Sequence, residues 1–156
     1  MRHWLLKTEP DVYSIDDLRA DGRTDWDRIR NHQVKLFLRD AMAQGDRCLI
    51  YHSNAEPTGV VGTAVVCGEA VPDATQFRKA DEGFEPRATR EAPVWWARPI
   101  RFESRFERCV ELAELRGEPR LRGLATLKRG NRLSVTPVTA AEFACIEAMG
   151  GRVRRG

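Results

Sequence analysis

Four short segments of the chain combine aromatic side chains with hydrogen-bonding ones. They are Trp4–Pro10, Trp26–Asn31, Tyr51–Asn54 and Arg129–Val138. In three of the four segments the polar groups stand where a predicted strand ends or a predicted helix begins, which is the usual position of a binding site. Together they predict a site in which apolar walls lie next to hydrogen-bonding groups.

Each segment taken alone also has a simpler structural explanation. Trp4 and Trp26 belong to residue types that are more often core than ligand contacts. Asn31 is well placed to cap a helix, Ser53–Asn54 to shape a turn, and His52 to sit in the core with its hydrogen bonds satisfied. Only the four segments together indicate a binding function.

The chain lacks the motifs of common nucleotide-dependent enzymes. Gly59–Gly62 has neither the third glycine nor the lysine that phosphate-binding loops need, and no nucleophile elbow occurs. Asp16–Asp17 stand in the first turn of a predicted helix, where their charges favour the helix dipole. His52 beside Ser53, with Glu9 elsewhere, leaves an acid–base group open as an alternative. We expect a binding protein without catalytic residues.

Cysteine and histidine usage gives no sign of a metal or a disulfide framework. The four cysteines are scattered among apolar neighbours without a C-x-x-C pair, and the three histidines show no ligand spacing with them. We expect free thiols, no metal and no cofactor. The cysteines are Cys48, Cys67, Cys109 and Cys145.

The composition is that of an ordinary globular protein. The 156 residues are 42% hydrophobic and 31% charged, which predicts one domain with one core. No apolar run approaches the roughly 20 residues that span a bilayer. Charged residues occur too early at the N-terminus for a signal peptide. We therefore expect a cytoplasmic protein without a membrane partner. The net charge of only +3 indicates that any nucleic acid is held by a local site.

Hydrophobic patterning predicts an α+β fold with a curled sheet. Helices are predicted from Ser14 to Gly22 and over an apolar stripe, Val34–Met42, that Asn31 caps; a last one opens with the capping box Thr139–Glu142. Strands do not alternate regularly with helices, so a doubly wound sheet is disfavoured. Strands are predicted at 3–7, 47–53, 59–71, 94–106 and 133–138, a loop at 73–93, short helical pieces at 110–124 and a frayed basic tail at 152–156. Pro99 predicts an edge or a bulge, and Trp95 and Trp96 lie on opposite faces of an extended chain.

In order along nearly the whole chain, these motifs resemble the EVE domain, a branch of the PUA superfamily. The pattern consists of Trp4 with Lys7–Pro10, the helix start Ser14–Leu18, Trp26 ahead of Arg30–Asn31, then Tyr51–Asn54, Gly59–Gly62, Pro72–Phe77 and Leu133–Val138. Departures are small, since Thr8 stands where the family often has serine and His32 where it often has an aromatic residue.

The resemblance implies a PUA-like mixed-sheet pseudo-barrel with surrounding helices, formed by residues 1–151 as one domain. It also implies a nucleic-acid-binding module, expected to act as a monomer, that recognises a modified base of DNA or RNA in an aromatic–polar pocket. The implied ligand-binding residues are Trp4, Trp26 and Tyr51 as walls, Asn31, Ser53, Asn54 and Ser134 for the base edge, Lys7, Arg30 and Arg129 for phosphates, and Thr8 and His52 beside them. A small-molecule or protein-interaction module that uses the same pocket remains an alternative, as does an enzyme that acts on nucleotides.

Overall fold

The computed structural model describes residues 1–154, and its framework is a mixed sheet. The strands are β1 His3–Thr8, β2 Arg23–Trp26, β3 Arg47–His52, β4 Gly59–Val66, β5 Val71–Pro72, β6 Trp96–Glu111, β7 Val135–Val138 and β8 Arg152–Arg154. Their order is β2-β6-β4-β3-β1-β7, with β5 and β8 also paired to β6. β1 and β3 are parallel and the other pairs are antiparallel. The expected α+β fold with a mixed sheet is confirmed.

Four α-helices pack around this sheet in the described part of the chain. They are α1 Ile15–Asp21, α2 His32–Leu36, α3 Leu112–Gly117 and α4 Ala140–Gly150. Short 3-10 turns lie at Ala74–Phe77, Pro119–Leu121 and Ala125–Leu127. None of the helices within residues 1–154 is long and apolar enough to cross a lipid bilayer.

Strand alternation divides the buried side chains between two clusters. Trp4 and Leu6 of β1 lie in the cluster that contains Ile15, from α1, whereas Leu5 lies in the cluster that contains Phe143, from α4. Successive side chains of a strand point to opposite faces of the sheet, so the central strands feed both clusters. The helices cover both faces, which is why β1 is apolar at three consecutive positions.

The predicted helix starts are confirmed. The Ser14 hydroxyl accepts a hydrogen bond from the Asp17 amide at 3.0 Å, and the Asp17 carboxylate accepts from the Ser14 amide at 2.9 Å. Thr139 and Glu142 form the same reciprocal capping box at the start of α4. Each cap satisfies amides that have no partner inside the helix, and it fixes where the helix begins.

The predicted helix from residue 34 to residue 42 changes form halfway. After α2 the chain continues as a π-helical turn, Phe37–Ala41. The Met42 amide donates to the Phe37 carbonyl at 2.9 Å, and the Leu38 carbonyl instead accepts from Arg98 Nη1 at 3.2 Å. The buried Arg98 side chain therefore contacts a carbonyl outside the usual helical hydrogen-bond ladder.

The strand bounds differ from the prediction at several ends. β4 stops at Val66 rather than at residue 71, β6 continues to Glu111 rather than ending at Phe106, and β2 was not predicted. Pro99 lies within β6, opposite Asp25 of β2 on one side and beyond the end of β4 on the other, so the predicted edge is present on the β4 side only. The Pro99 carbonyl accepts from the Cys67 amide at 2.9 Å. The backbone nitrogen and carbonyl of one residue point to the same side of a strand. The Pro99 nitrogen, which carries no hydrogen to donate, therefore faces the side on which β4 has already ended, and no ladder hydrogen bond is lost there.

The expected frayed tail is wrong for three of its residues. Arg152–Arg154 form β8, which pairs with β6 at Ser104, Arg105 and Phe106. A backbone ladder to a neighbouring strand orders a segment that carries no apolar periodicity of its own. The remaining two positions of that expectation, 155 and 156, lie outside the described residues.

Candidate functional site

A cavity of about 230 Å³ opens between the end of β1, the loop before α1, and β2 with the loop that follows it. We refer to it as the Tyr13–Trp26 pocket. Its lining residues are Lys7, Thr8, Val12, Tyr13, Thr24, Asp25, Trp26, Asp27, Arg28 and Ile29. Pockets for drug-sized ligands occupy roughly 300–1,000 Å³, so this cavity suits a single small ring system.

Two aromatic rings form the apolar part of the pocket. Trp26 is buried at the end of β2, and the Tyr13 ring meets it edge-on with centroids 6.3 Å apart and an interplanar angle of 81°. The Tyr13 hydroxyl donates to Asp21 Oδ2 at 2.7 Å. Burial, followed by this hydrogen bond, raises the pKa of Tyr13 to about 12, so the phenol stays neutral. A fixed, uncharged wall of this kind can stack on a planar ligand.

Lys7 and Asp27 are two of the ionisable groups that line the pocket, beside Tyr13, Asp25 and Arg28. Burial lowers the pKa of Lys7, whose Nζ lies 5.6 Å from the centroid of the Tyr51 ring. Burial, together with the nearby carboxylate of Asp73, raises the pKa of Asp27. Among the described residues no ion pair engages either side chain. Both groups are thus partly desolvated and available to a ligand.

The outer wall of the pocket is held by a buried carboxylate. Arg28 has a positive φ of 62°, an uncommon conformation for a residue other than glycine, and its amide donates to Asp73 Oδ2 at 2.7 Å. The Arg28 guanidinium binds both oxygens of Asp81 at 2.8 and 3.0 Å. The predicted loop 73–93 is therefore attached directly to the pocket wall.

Arg30, which was predicted to bind phosphate, lies behind this wall. Its guanidinium donates to Asp73 at 3.0 Å, to Thr75 Oγ1 at 3.0 Å and to the Gly83 carbonyl at 2.7 Å. The same group lies 5.4 Å from the centroid of the buried Trp95 ring. These contacts occupy most of the donors of Arg30 and make it a support for loop 73–93.

Three of the predicted site residues line the pocket, namely Lys7, Thr8 and Trp26. Thr8 donates from its hydroxyl to the Tyr13 carbonyl at 2.8 Å and so fixes the aromatic wall. Trp4 lies in the core, where its indole nitrogen donates to Asp46 at 3.0 Å. Tyr51 is also buried, in the second cluster. The simpler core explanation therefore describes the contacts of Trp4.

The remaining predicted residues have mainly structural contacts. The Asn31 side chain accepts from the Val34 amide at 3.0 Å and caps α2. His52 Nε2 accepts from the Ile15 amide at 3.1 Å, and burial lowers the pKa of this histidine. The Ser53 amide donates to the Thr8 carbonyl at 2.9 Å, and Asn54 Nδ2 donates to Glu9 Oε1 at 2.6 Å. The Ser134 carbonyl accepts from the Lys7 amide at 2.8 Å, and Arg129 is exposed.

Sequence reasoning missed Tyr13, Asp27 and Arg28 as pocket residues. Asp27 and Arg28 stand inside the Trp26–Asn31 segment, but the family pattern implies roles only for their neighbours Trp26, Arg30 and Asn31. Tyr13 precedes the helix cap Ser14, a position at which one aromatic residue carries no distinctive signal. Asp27 and Arg28 follow Trp26 at the end of β2, and the Tyr13 ring contacts that tryptophan. β2 pairs with β6 and is a strand that the sequence did not predict.

The described residues contain no group of three or more His, Cys, Asp or Glu side chains that could hold a metal ion. The four cysteines are free, with Cys48 and Cys145 buried. His52, Ser53 and Glu9, the alternative acid–base group, do not hydrogen-bond to one another in the described part of the chain, since His52 Nε2 and Glu9 bind other partners.

Comparison with known proteins gives a consistent family assignment. The family model described as "EVE domain" matches residues 2–149. Human thymocyte nuclear protein 1 is 35% identical over 161 residues, which cover 90% of this chain and 70% of that protein. Its crystal structure in complex with DNA containing 5-methylcytosine has a TM-score of 0.87 at 34% identity, covering 96% of this chain and 98% of that one. A Pseudomonas syringae crystal structure has a TM-score of 0.89 at 38% identity and covers 94% and 98% of the two chains. The fold is the PUA-like α+β pseudo-barrel, and the chain belongs to the EVE domain family.

Proposed function

We propose that this protein is a non-enzymatic nucleic-acid-binding domain that accepts one modified base, 5-methylcytosine, in the Tyr13–Trp26 pocket. The observation that carries the proposal is a pocket for a single ring in which an aromatic wall stands beside two unpaired, partly buried groups, Lys7 and Asp27. Support also comes from the human relative whose crystal structure contains DNA with 5-methylcytosine. Residues 1–151 act as one domain, and the chain binds as a monomer.

Stacking supplies the sequence-independent part of the affinity. A base that leaves the duplex loses a few kcal/mol of pairing and stacking, and a protein aromatic ring returns about 1–3 kcal/mol. Trp26 and Tyr13 provide this surface at the pocket wall. Because the two together only roughly balance the loss, binding also needs contacts to the edge of the base and to the backbone.

Asp27 is proposed to contact the edge of the base. Cytosine presents an amino donor at N4 beside an acceptor at N3. A neutral carboxylic acid offers the complementary pair, an O–H donor and a carbonyl acceptor, whereas a carboxylate would repel the N3 lone pair. Burial already raises the pKa of Asp27, and a base covering the group raises it further because the charged form loses more water. Lys7 then donates to O2 of the base or to a neighbouring phosphate.

The 5-methyl group adds a small apolar term. Burying one methyl-sized group contributes about 0.8 kcal/mol, which corresponds to roughly a fourfold preference for methylated over unmodified cytosine. A larger preference requires a space beside Trp26 or Ile29 in which water is bound unfavourably and which the methyl group fills. The expected discrimination is therefore moderate, and it should change little with salt.

The test uses oligonucleotides with and without one 5-methylcytosine, as DNA and as RNA, and two substitutions at one site. Asp27→Asn keeps a donor beside an acceptor and should retain methyl-dependent binding without pH dependence. Asp27→Ala should lose it. For the natural protein, affinity should fall as pH rises through the pKa of Asp27 in the complex, since the neutral form is the binding form. If Asp27→Asn fails as badly as Asp27→Ala while both are folded, the edge contact is wrong.

A second measurement separates binding from catalysis. Methylated oligonucleotide is incubated with the protein and then analysed by mass. A binding protein returns the base and the backbone unchanged, and any loss of the methyl group, the base or a phosphodiester bond would overturn the non-enzymatic assignment. If none of the oligonucleotides binds at low salt, the pocket serves another class of small ligand.

A further inference from the structure

The segment from Arg116 to Arg132, here called the basic segment, concentrates the positive charge of the chain. It contains six Lys or Arg residues and one acidic residue, Glu118, whereas the whole chain has a net charge of only +3. The six cationic residues are all exposed. Arg120 pairs with Glu118 at 2.7 Å. Within residues 1–154, no hydrogen bond or ion pair engages the side chains of Lys128, Arg129 or Arg132.

Apolar anchors hold the basic segment against the body of the protein. Leu121 and Leu124 are fully buried in the core cluster that also contains Phe143. Thr126 Oγ1 and Thr136 Oγ1, the latter on β7, lie 3.5 Å apart. The segment is thus fixed by its leucines, while its cationic side chains face solvent. Such an arrangement presents charge at defined positions, unlike a free tail.

The basic segment lies beside the Tyr13–Trp26 pocket. It leads directly into Ser134, whose carbonyl accepts from the Lys7 amide at 2.8 Å. At its other end, Arg116 acts electrostatically on Tyr51, the ring over which Lys7 Nζ lies. There, burial raises the pKa of Tyr51 and the positive charge of Arg116 opposes the rise. The C-terminal end of the segment therefore approaches Lys7, a lining residue of the pocket.

We infer that the basic segment is a second contact surface, on which Lys128, Arg129 and Arg132 bind phosphates of the strand that flanks the base in the pocket. This inference rests on the proposed function for the position of the base, but the surface itself needs only a polyanion. Guanidinium forks match phosphate oxygens in pairs, and phosphate contacts position a strand without reading its sequence. Because the basic segment lies near the pocket, we favour a sugar–phosphate backbone over an acidic protein as its ligand.

The experiment compares two triple variants that each remove three positive charges. Lys128→Gln/Arg129→Gln/Arg132→Gln changes the basic segment, and Arg19→Gln/Arg39→Gln/Arg101→Gln changes exposed arginines on α1, the π-helical turn and β6. Affinity for methylated and unmodified oligonucleotides is measured over a series of salt concentrations. Three lost phosphate contacts should reduce the slope of log affinity against log salt by about 2 to 3. The control variant should shift it little.

The outcomes separate this inference from the proposed function. It is supported when the first variant weakens both oligonucleotides by the same factor and flattens the salt dependence, even if the natural protein shows no preference for the methylated one. An unchanged slope in the first variant overturns it, and so does an equal loss in the control variant. A selective loss of the methylated oligonucleotide would place these residues in base recognition instead, and tight binding of an acidic peptide without oligonucleotide binding would assign the surface to a protein.

Discussion

Asp73 is the position at which one substitution should affect both the stability and the pocket of this protein. Its side chain is fully buried, and its carboxylate accepts four hydrogen bonds. The donors are the Arg28 amide at 2.7 Å, the Thr75 amide at 2.8 Å, the Thr75 hydroxyl at 2.5 Å and Arg30 Nη1 at 3.0 Å. Asp73→Ala removes the shared acceptor of two chain segments that are far apart in sequence.

The size of the loss follows from these contacts. Removing one partner of a buried ion pair typically costs about 3–5 kcal/mol, and each buried amide left without an acceptor costs about 1–3 kcal/mol. The Arg30 side chain is 28% exposed, so water compensates part of its loss and the terms do not add fully. We expect Asp73→Ala to lower the free energy of unfolding by about 3–5 kcal/mol, or the Tm by roughly 6–20 °C for a chain of this length. Asp73→Asn keeps one acceptor oxygen and should lose about half as much.

Urea unfolding followed by tryptophan fluorescence measures this difference. The matched control is Asp81→Asn, which removes the charge of the other ion-pair partner of Arg28 at a more solvent-accessible position and should therefore have a much smaller effect. Acid sensitivity provides a second test. Although burial raises the pKa of Asp73, hydrogen bonds from Thr75, Arg30 and Arg28 outweigh it and lower the pKa overall. The contribution of Asp73 is thus present above the pKa of the unfolded chain and is lost as pH falls through the folded value. A loss below about 1 kcal/mol for Asp73→Ala, or equal losses for Asp73→Ala and Asp81→Asn, would refute this account of the pocket wall.

Three further substitutions probe the fold and its pH dependence. Gly62→Ala places a methyl group against the Ser104 carbonyl and 2.9 Å from Ile15 Cδ1, so unfolding experiments should show a loss of about 1–3 kcal/mol; an unchanged midpoint would mean that α1 adjusts freely. Thr139→Ala removes the cap of α4 and should cost about 1 kcal/mol in the same assay, with Thr139→Ser as the conservative control. His52 has a lowered pKa because it is buried, so stability should fall as pH drops below about 6.5; in His52→Gln that part of the pH dependence should disappear.

Local chemistry made the helix starts and central strands predictable. Ser14 with Asp17, and Thr139 with Glu142, are capping boxes whose hydrogen bonds lie within four residues, so the sequence contains the whole interaction. The strand Arg47–His52 was also predictable. Its side chains pack into both buried clusters, so the strand is a continuous apolar run that is visible in the sequence. By contrast, β2 carries the polar sequence Arg23–Trp26 and exists through its pairing with β6, which lies more than 70 residues away. No local pattern identifies such a strand.

The pocket was predicted only in part, for the same physical reason. An aspartate beside a tryptophan is ordinary in sequence, and Asp27 becomes unusual only because Asp73, 46 positions later, is brought close to it and burial removes its water. The motif match emphasised Arg30 and Asn31, whose side chains are engaged in holding loop 73–93 and capping α2. Residues that recur within a family pattern can therefore be those that build the frame, while the groups left unpaired by that frame are the ones available to a ligand. On this argument Asp27 and Lys7, rather than Arg30 and Asn31, should show the larger changes in ligand affinity relative to their changes in stability.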